Sequence, residues 1–213
     1  MEWLTGFLDF VREHPDRVRD LSLSHLKLSV TALALACAVY LPLGVLLARS
    51  QRFGASATGV IASFRVVPSL ALIFLFYSWL GFGYRPAVLA LTILAGPPLL
   101  INTVAGLRNV DRSMLEAARG VGMTPAQVFF RVQMPLALPV VIAGIRSASV
   151  EILASATLAS FIGVRTLGQF IVTGVSLLDT TYLLAGGIPI MAMVLAAQVL
   201  LGGIERLVTP PVR

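Results

Sequence analysis

The sequence predicts an all-α integral membrane protein that forms a single domain over residues 1–213, with five spans and a helical hairpin between two of them. Of its residues, 57% are hydrophobic and only 12% are charged, against about 25% charged in ordinary soluble domains. The mean hydropathy is +0.91. The apolar residues occur in long uncharged runs, and one polar loop, residues 108–134, separates the third run from the fourth.

Each apolar run is long enough for a membrane-spanning helix, which needs about 20 residues. We place the spans near 26–48, 58–80, 86–107, 135–162 and 182–208. The run that forms the first span has no small-residue cleavage pattern, so we expect a retained span and not a signal peptide.

Two shorter segments do not fit a span. In residues 1–20, the apolar side chains of Trp3, Phe7 and Val11 recur at helical spacing opposite charged residues. This pattern predicts an amphipathic helix in the membrane interface, and a polar tail is the alternative. Residues 166–178 are apolar but too short to cross, so we expect a re-entrant or surface helix on the outer side. This helix would dock a partner protein or pack over the outer opening of the protein.

Several classes of site have no residues from which to be built. The single cysteine, Cys37, lies in the first span, and His14 and His25 both precede that span. We therefore expect no metal, no cofactor and no enzymatic activity in this chain. The phosphate-binding pattern G-x-x-x-x-G-K-[ST] does not occur. The net charge of +6 comes from basic residues at the ends of spans, which gives no reason to expect a nucleic-acid partner.

The distribution of basic residues predicts the orientation. Eight of them fall on one side of the predicted spans: Arg49, Arg52, Arg108, Arg112, Arg119, Arg131, Arg206 and Arg213. The short loops on the opposite side carry only Arg85 and Arg165. Because basic loops stay in the cytoplasm, we expect a cytoplasmic carboxyl terminus and an outer amino terminus in the cell membrane. The basic residues of the amino-terminal segment, which include Arg12 and Lys27, run against this rule.

The polar loop contains signals for two short helices. Ser113 and Glu116 have the spacing of a capping box at the start of the first helix, and Gly122 can adopt the left-handed conformation that ends it.

The second helix of the loop has its own start signal. Thr124 supplies a hydroxyl cap, Pro125 suits the first helical position and Gln127 completes a capping box. Pro135 is predicted to stop this helix and to open the fourth span.

These residues carry a family resemblance. Glu116, Ala117, Ala118, Gly122 and Pro135 have the spacing of the EAA loop in permease subunits of binding-protein-dependent ABC importers. The family prefers isoleucine and leucine at the positions that Val132 and Met134 occupy here. Residues 65–71, 97–111, 144–146, 161–163 and 166–168 also resemble the glycine betaine, choline and carnitine branch, which imports osmoprotectants.

The resemblance implies the type I importer fold, a dimer with a second permease subunit and an extracytoplasmic binding protein. It also implies a cytoplasmic ATPase pair that binds ATP and Mg²⁺ and docks on the EAA loops. The expected solutes are osmoprotectants, and an amino-acid or methionine importer is the alternative. A secondary transporter that works alone would leave the EAA spacing unexplained. Glu151 departs from the branch, which more often has an uncharged or aromatic residue at this position.

A polar stripe on the fourth span is the main candidate for the translocation pathway. Ser147, Glu151, Ser155 and Ala159 recur every four residues. A carboxylate near mid-span costs about 2.5–3.5 kcal/mol, so it should face protein or a wet cavity. Glu151 therefore lines the pathway or pairs with a basic residue of another helix. Arg146 is five residues away on the same helix, so we do not expect it to be the partner.

Asn102, Arg65 and Pro68, in the second and third predicted spans, are further candidates for the pathway. We expect Arg65 to extend towards the headgroups, and Pro68, Pro97 and Pro98 to kink helices. Asn102 has an interhelical packing role or contacts the solute.

Aromatic residues crowd the outer end of the second span: Phe74, Phe76, Tyr77, Trp79, Phe82 and Tyr84. They form an interfacial belt or, alternatively, a cage for a quaternary ammonium ion.

Overall fold

The computed structural model describes residues 2–50 and 67–209. All regular structure in this part of the chain is helical, in agreement with the predicted fold class. The α-helices are α1 Glu2–Glu13, α2 Pro15–Arg49, α3 Ser69–Leu80, α4 Tyr84–Leu94, α5 Gly96–Arg108, α6 Arg112–Gly120, α7 Pro125–Val128, α8 Met134–Ser155, α9 Gly168–Leu177 and α10 Thr180–Val208. A π-helical turn, Phe129–Gln133, joins α7 to α8, and a 3₁₀ segment, Ala156–Ile162, follows α8.

Four helical stretches in the described ranges are long and apolar enough to cross a membrane. They are α2, the pair α4–α5, the continuous stretch Pro125–Ile162 and α10. The predicted second span, 58–80, contains α3, whose 12 residues reach only about 18 Å. Residues 58–66 lie outside the described part, so the predicted count of five spans is not fully confirmed.

The third span is interrupted near its middle. Ala95 separates α4 from α5, and Pro97 and Pro98 lie in the first turn of α5. The prolines therefore begin a new helical segment, since proline has no N–H group to donate and suits a first turn. A side chain at Gly96 would collide with the ring of Tyr40, because a Cβ built there lies 2.8 Å from Cζ.

The core is lined with small side chains that let the helices approach closely. The central cluster joins α2, α4, α8 and the 3₁₀ segment, and its fully buried members include Leu28, Ala32, Ala36, Ala87, Leu91, Ala148, Ile152, Ala156 and Ala159. In an apolar solvent, close packing of this kind is a main source of helix association. Helix α8 lies centrally and packs against α5 on one side and α10 on the other.

The amino-terminal segment packs on protein at one end of the bundle. Phe10 of α1 is 8% exposed and contacts the rings of Phe170 in α9 and Tyr182 in α10. The guanidinium of Arg17 lies 5.2 Å from the centre of the Phe170 ring. The polar-tail alternative is therefore wrong. Residues 15–20 belong to α2, because α1 ends at Glu13 and the next helix starts at Pro15.

Helix α9 is the short segment predicted at 166–178. It packs against α10 and the 3₁₀ segment. Its first residue, Gly168, lies against the backbone of Thr157, where a Cβ would overlap the carbonyl oxygen. At its other end, Leu178 has a positive φ of 54° and is 91% exposed. The start of α9 is thus closely packed against the protein, and its end is exposed.

Candidate functional site

The polar loop between α5 and α8 folds as a helical hairpin whose first cap differs from the prediction. Asp111, and not Ser113, caps α6, because its carboxylate accepts a hydrogen bond of 2.9 Å from the backbone N–H of Ser113. Hydrogen bonds from the backbone and side chain of Ser113 lower the pKa of Asp111. The predicted capping box of Ser113 and Glu116 is therefore wrong, since both residues lie inside the helix.

The turn between the two helices of the hairpin depends on Gly122. This residue has a φ of 81°, as predicted, and donates its N–H to the carbonyl of Arg119 at 2.9 Å. The N–H of Met123 bonds to the carbonyl of Ala118 at 3.2 Å, and the two bonds together form a Schellman motif. Within residues 2–50 and 67–209, no atom lies within 4 Å of a Cβ built on Gly122. The turn requires glycine for its backbone conformation and not for space.

The second helix starts as the sequence predicts. The N–H of Gln127 donates to the hydroxyl oxygen of Thr124 at 3.4 Å, and the N–H of Thr124 donates to Oε1 of Gln127 at 2.8 Å. Pro125 occupies the first turn. The predicted capping box is confirmed.

Pro135 does not stop this helix. The chain stays helical from Pro125 to Ile162, through the π turn and α8. The π turn adds one residue to the helical repeat, and Met134 donates its N–H to the carbonyl of Phe129 five residues earlier. Proline is tolerated here because Pro135 lies in the first turn of α8. The hairpin is thus continuous with the fourth span.

The hairpin presents an apolar and basic surface. Glu116 and Ala117 are exposed, Ala118 is buried against the rest of the hairpin, and Pro135 is exposed. Large apolar side chains on the same hairpin are also exposed: Met114, Val121 and Phe130. Beside them is an open cavity of about 670 Å³, lined by Arg49, Arg119, Pro125, Ala126, Val128, Phe129, Phe130 and Gln133. Exposed apolar groups next to arginines are typical of a protein-docking surface.

The predicted polar stripe on the fourth span does not remain on one face. Ser147 is exposed and Glu151 and Ser155 are partly buried, whereas Ala159 lies in the core. Each step of four residues turns about 40° around a helix, so three steps carry the row from the surface into the bundle. The exposed positions recur every seven residues instead: Val140, Ser147, Ala154 and Phe161. We call these four residues, three of them in α8 and Phe161 in the 3₁₀ segment that follows, the open face of α8.

A charged pair that the sequence analysis missed lies beside the open face. Nη1 of Arg146 in α8 is 2.9 Å from Oε2 of Glu205 in α10. The two groups are not aligned for a hydrogen bond, so their charges hold the contact. The sequence signal was present, because Arg146 and Glu205 are opposite charges inside two predicted spans.

The remaining predicted pathway residues have different positions. Asn102 donates to the carbonyl of Pro98 at 2.8 Å, and its Cβ packs against Gly144 of α8, which favours the interhelical packing role. Pro68 kinks no helix in the described part, because its backbone is extended and it directly precedes α3. Arg65 lies outside the described residues.

The aromatic residues near the outer end of the second span are largely exposed. Trp79 is 78% exposed, while the rings of Tyr77 and Phe82 pack edge to face with centres 4.7 Å apart. Tyr84 bonds through its hydroxyl to Thr31 of α2 at 2.8 Å. Phe74 also packs edge to face on Tyr77, with ring centres 6.3 Å apart. These rings contact one another, and exposed aromatic side chains such as Trp79 are typical of an interfacial belt.

Comparison with known proteins gives the family. Residues 40–213 match the family described as the inner membrane component of binding-protein-dependent transport systems. The chain belongs to this family. The permease carries the EAA-type residues on the exposed hairpin, and the match includes that hairpin and every described span after α2.

Named relatives match the permease over most of its length. It is 38% identical to the carnitine transport permease protein OpuCB of Listeria monocytogenes over 207 residues, which cover 97% of this chain and 95% of the relative. It is also 38% identical to the choline transport system permease protein OpuBB of Bacillus subtilis (strain 168), covering 87% and 86%. The fold matches an inward-facing structure of the MetNI methionine ABC transporter with a TM-score of 0.79, at 20% identity, covering 91% of this chain and 97% of that one. The permease therefore has the type I importer fold.

Proposed function

We propose that the permease imports osmoprotectant solutes such as glycine betaine, choline or carnitine. The observation that supports this solute class is the 38% identity, over nearly the whole chain, to a permease named for carnitine transport. Relatives named for choline, and for glycine betaine, carnitine and choline together, match at 38% and 37%. Solved methionine and amino-acid transporters match the permease in fold at 20–24% identity. That alternative therefore has less support.

The hairpin supports coupling to a separate ATPase subunit. Its two helices are capped, its turn is fixed by Gly122, and its exposed surface is apolar and basic. It also continues into the fourth span without a break, so a force on the hairpin reaches the membrane. In this proposal ATP and Mg²⁺ bind to the partner, and the permease itself catalyses no reaction.

The same basic surface supports the orientation that we propose. The end of α2, the hairpin and the end of α10 all carry arginine, as expected for the cytoplasmic side. The amino terminus, with α1 and α9, then lies outside, where an extracytoplasmic binding protein delivers the solute.

The open face of α8 supports assembly with a second permease subunit. The surface formed by Val140, Ser147, Ala154 and Phe161 is only weakly polar, and one chain does not enclose it. A second copy, or a similar subunit, placed opposite would make a channel between two such faces. Glu151 flanks this face and would border the channel.

Uptake in proteoliposomes tests the proposal. The permease is reconstituted with its cognate ATPase and binding protein, and labelled choline, carnitine, glycine betaine and methionine are offered with ATP inside. We expect ATP-dependent uptake of at least one quaternary ammonium solute and none of methionine. Glu116→Lys, which reverses the charge at the exposed hairpin, should abolish ATPase copurification while membrane insertion stays normal. Uptake of methionine alone would contradict the solute class, and ATPase binding unaffected by Glu116→Lys would contradict the docking role.

A further inference from the structure

The end of the first span is held by an arginine at the start of the hairpin. Helix α2 ends at Arg49, and the carbonyls of its last turn lack the partners that a continuing helix would supply, apart from Leu47, which accepts the N–H of Ser50 at 3.2 Å. Arg108, the last residue of α5, donates to three carbonyls at this end: Nη2 to Leu47 at 3.2 Å and to Ser50 at 2.6 Å, and Nε to Ala48 at 3.3 Å. Only three residues later, Asp111 caps the first helix of the hairpin.

A second contact joins the same helix end to the other side of the hairpin. The guanidinium of Arg49 lies 4.7 Å from the centre of the Phe129 ring, over its face. Phe129 is the first residue of the π turn, where the hairpin becomes the fourth span. Its ring is buried in a small cluster with Leu107, and Val45 and Ala48 of α2 pack against that cluster.

A third bond completes the junction. Nε2 of Gln133, at the end of the π turn, donates to the carbonyl of Leu107 at 3.0 Å. The cytoplasmic ends of the first, third and fourth spans therefore meet at one point, where the chain passes into the hairpin from α5 and out of it into α8.

We propose that Arg108 and Arg49 are positioning residues for energy coupling, which fasten the first span to the hairpin so that both the first and the fourth span follow its displacement. The proposal rests on the proposed function, since it assumes that the hairpin receives the ATPase. Arginine suits this role because its planar guanidinium carries several N–H donors in a fixed geometry. Its positive charge also interacts favourably with the negative end of the α2 dipole. An arginine whose only role was to keep its loop on the cytoplasmic side would not need these three hydrogen bonds to backbone carbonyls.

The experiment separates ATPase docking from coupling. Arg108→Gln, Arg49→Gln and the double variant are reconstituted with the ATPase and binding protein, and copurification, ATP hydrolysis and solute uptake are measured on the same samples. We expect normal ATPase copurification in Arg108→Gln, whose side chain does not line the docking cavity. In all three variants we expect a fall in solute taken up per ATP hydrolysed of about five-fold or more, the lower end of the usual range for coupling between sites. Arg108→Lys should restore part of the ratio, because an ammonium still donates to the carbonyls.

Arg206→Gln is the matched control. It removes an exposed arginine from the last turn of α10, where no partner is found among the described residues, and should leave the ratio of solute taken up to ATP hydrolysed unchanged.

If Arg108→Gln prevents insertion, Phe129→Leu tests the junction from the other side by removing the ring face that Arg49 covers. A ratio in the Arg108 and Arg49 variants equal to that of the control would overturn the proposal. So would loss of ATPase copurification in step with uptake in Arg108→Gln, because Arg108 would then serve docking. An unaltered permease that fails to bind any ATPase would refute the proposed function instead.

Discussion

Replacing either member of the Arg146–Glu205 pair strands a charge between the fourth and fifth spans. The two atoms are 2.9 Å apart, and the side chains are 36% and 26% exposed. Surface ion pairs contribute about 0.2–1 kcal/mol, whereas breaking a buried pair costs about 3–5 kcal/mol. Since the exposure of this pair lies between the two cases, we expect Arg146→Gln to destabilise the permease by about 1–3 kcal/mol.

The two single variants should differ. Glu205→Gln leaves a long arginine whose head can move towards water, so we expect a cost near the lower limit, about 1 kcal/mol. Arg146→Gln leaves a short and less exposed carboxylate, which has no such freedom. For a chain of this size, each kcal/mol corresponds to about 2–4 °C in melting temperature. Arg146→Gln should thus lower the melting temperature by about 2–12 °C, and the double variant should cost less than the sum of the two single variants.

Thermal unfolding of the purified permease in detergent measures these differences. Arg85→Gln, which removes an exposed arginine from the start of α4, serves as the control and should have little effect. The reasoning fails if the single costs add in the double variant to within about 0.3–0.5 kcal/mol, which is the scatter for independent sites. It also fails if Glu205→Gln is the more damaging of the two.

Two further predictions concern the hairpin and the pathway. Gly122→Val should weaken ATPase copurification without affecting insertion, because a β-branched residue at a φ of 81° is strained by about 1–2 kcal/mol. Gly122→Asn is the control and should retain most of the ATPase binding. Equal ATPase binding by both variants would refute the strain argument. Glu151→Gln should lower solute uptake more than basal ATP hydrolysis, measured in proteoliposomes. Unchanged uptake with normal assembly would make Glu151 dispensable, and a collapse in subunit yield would assign it to a structural contact.

Helix caps and turns could be predicted from the sequence wherever a few neighbouring residues determine the backbone conformation. Thr124, Pro125 and Gln127 form the cap that their types and spacing indicate, and Gly122 has the positive φ that its place in the loop requires. The first cap was misassigned because Asp111 and Ser113 are both good caps, and the choice depends on where α5 ends. The sequence of the loop does not contain that information.

Relations between helices were less predictable. A row of residues four apart looks like one face in the sequence, but it turns into the core by Ala159, while the open face uses a spacing of seven. The partner of Arg146 lies 59 positions further along the chain, and the spacing of charges within one helix does not predict such a contact. Pro135 does not end the helix because a π turn precedes it, and the residues around Pro135 carry no specific sequence signal for such a turn.

The uninterrupted helix from Pro125 to Ile162 has a mechanical consequence. Its 38 residues make a rod of about 57 Å, with the hairpin at one end and the outer mouth at the other. A tilt of about 10° about its middle moves each end of such a rod by about 5 Å. Close packing of Gly144 against Asn102 near its middle gives the rod a natural pivot. A displacement comparable to the width of a small solute then requires only a small angular movement, and the side-chain contacts at the pivot can persist throughout.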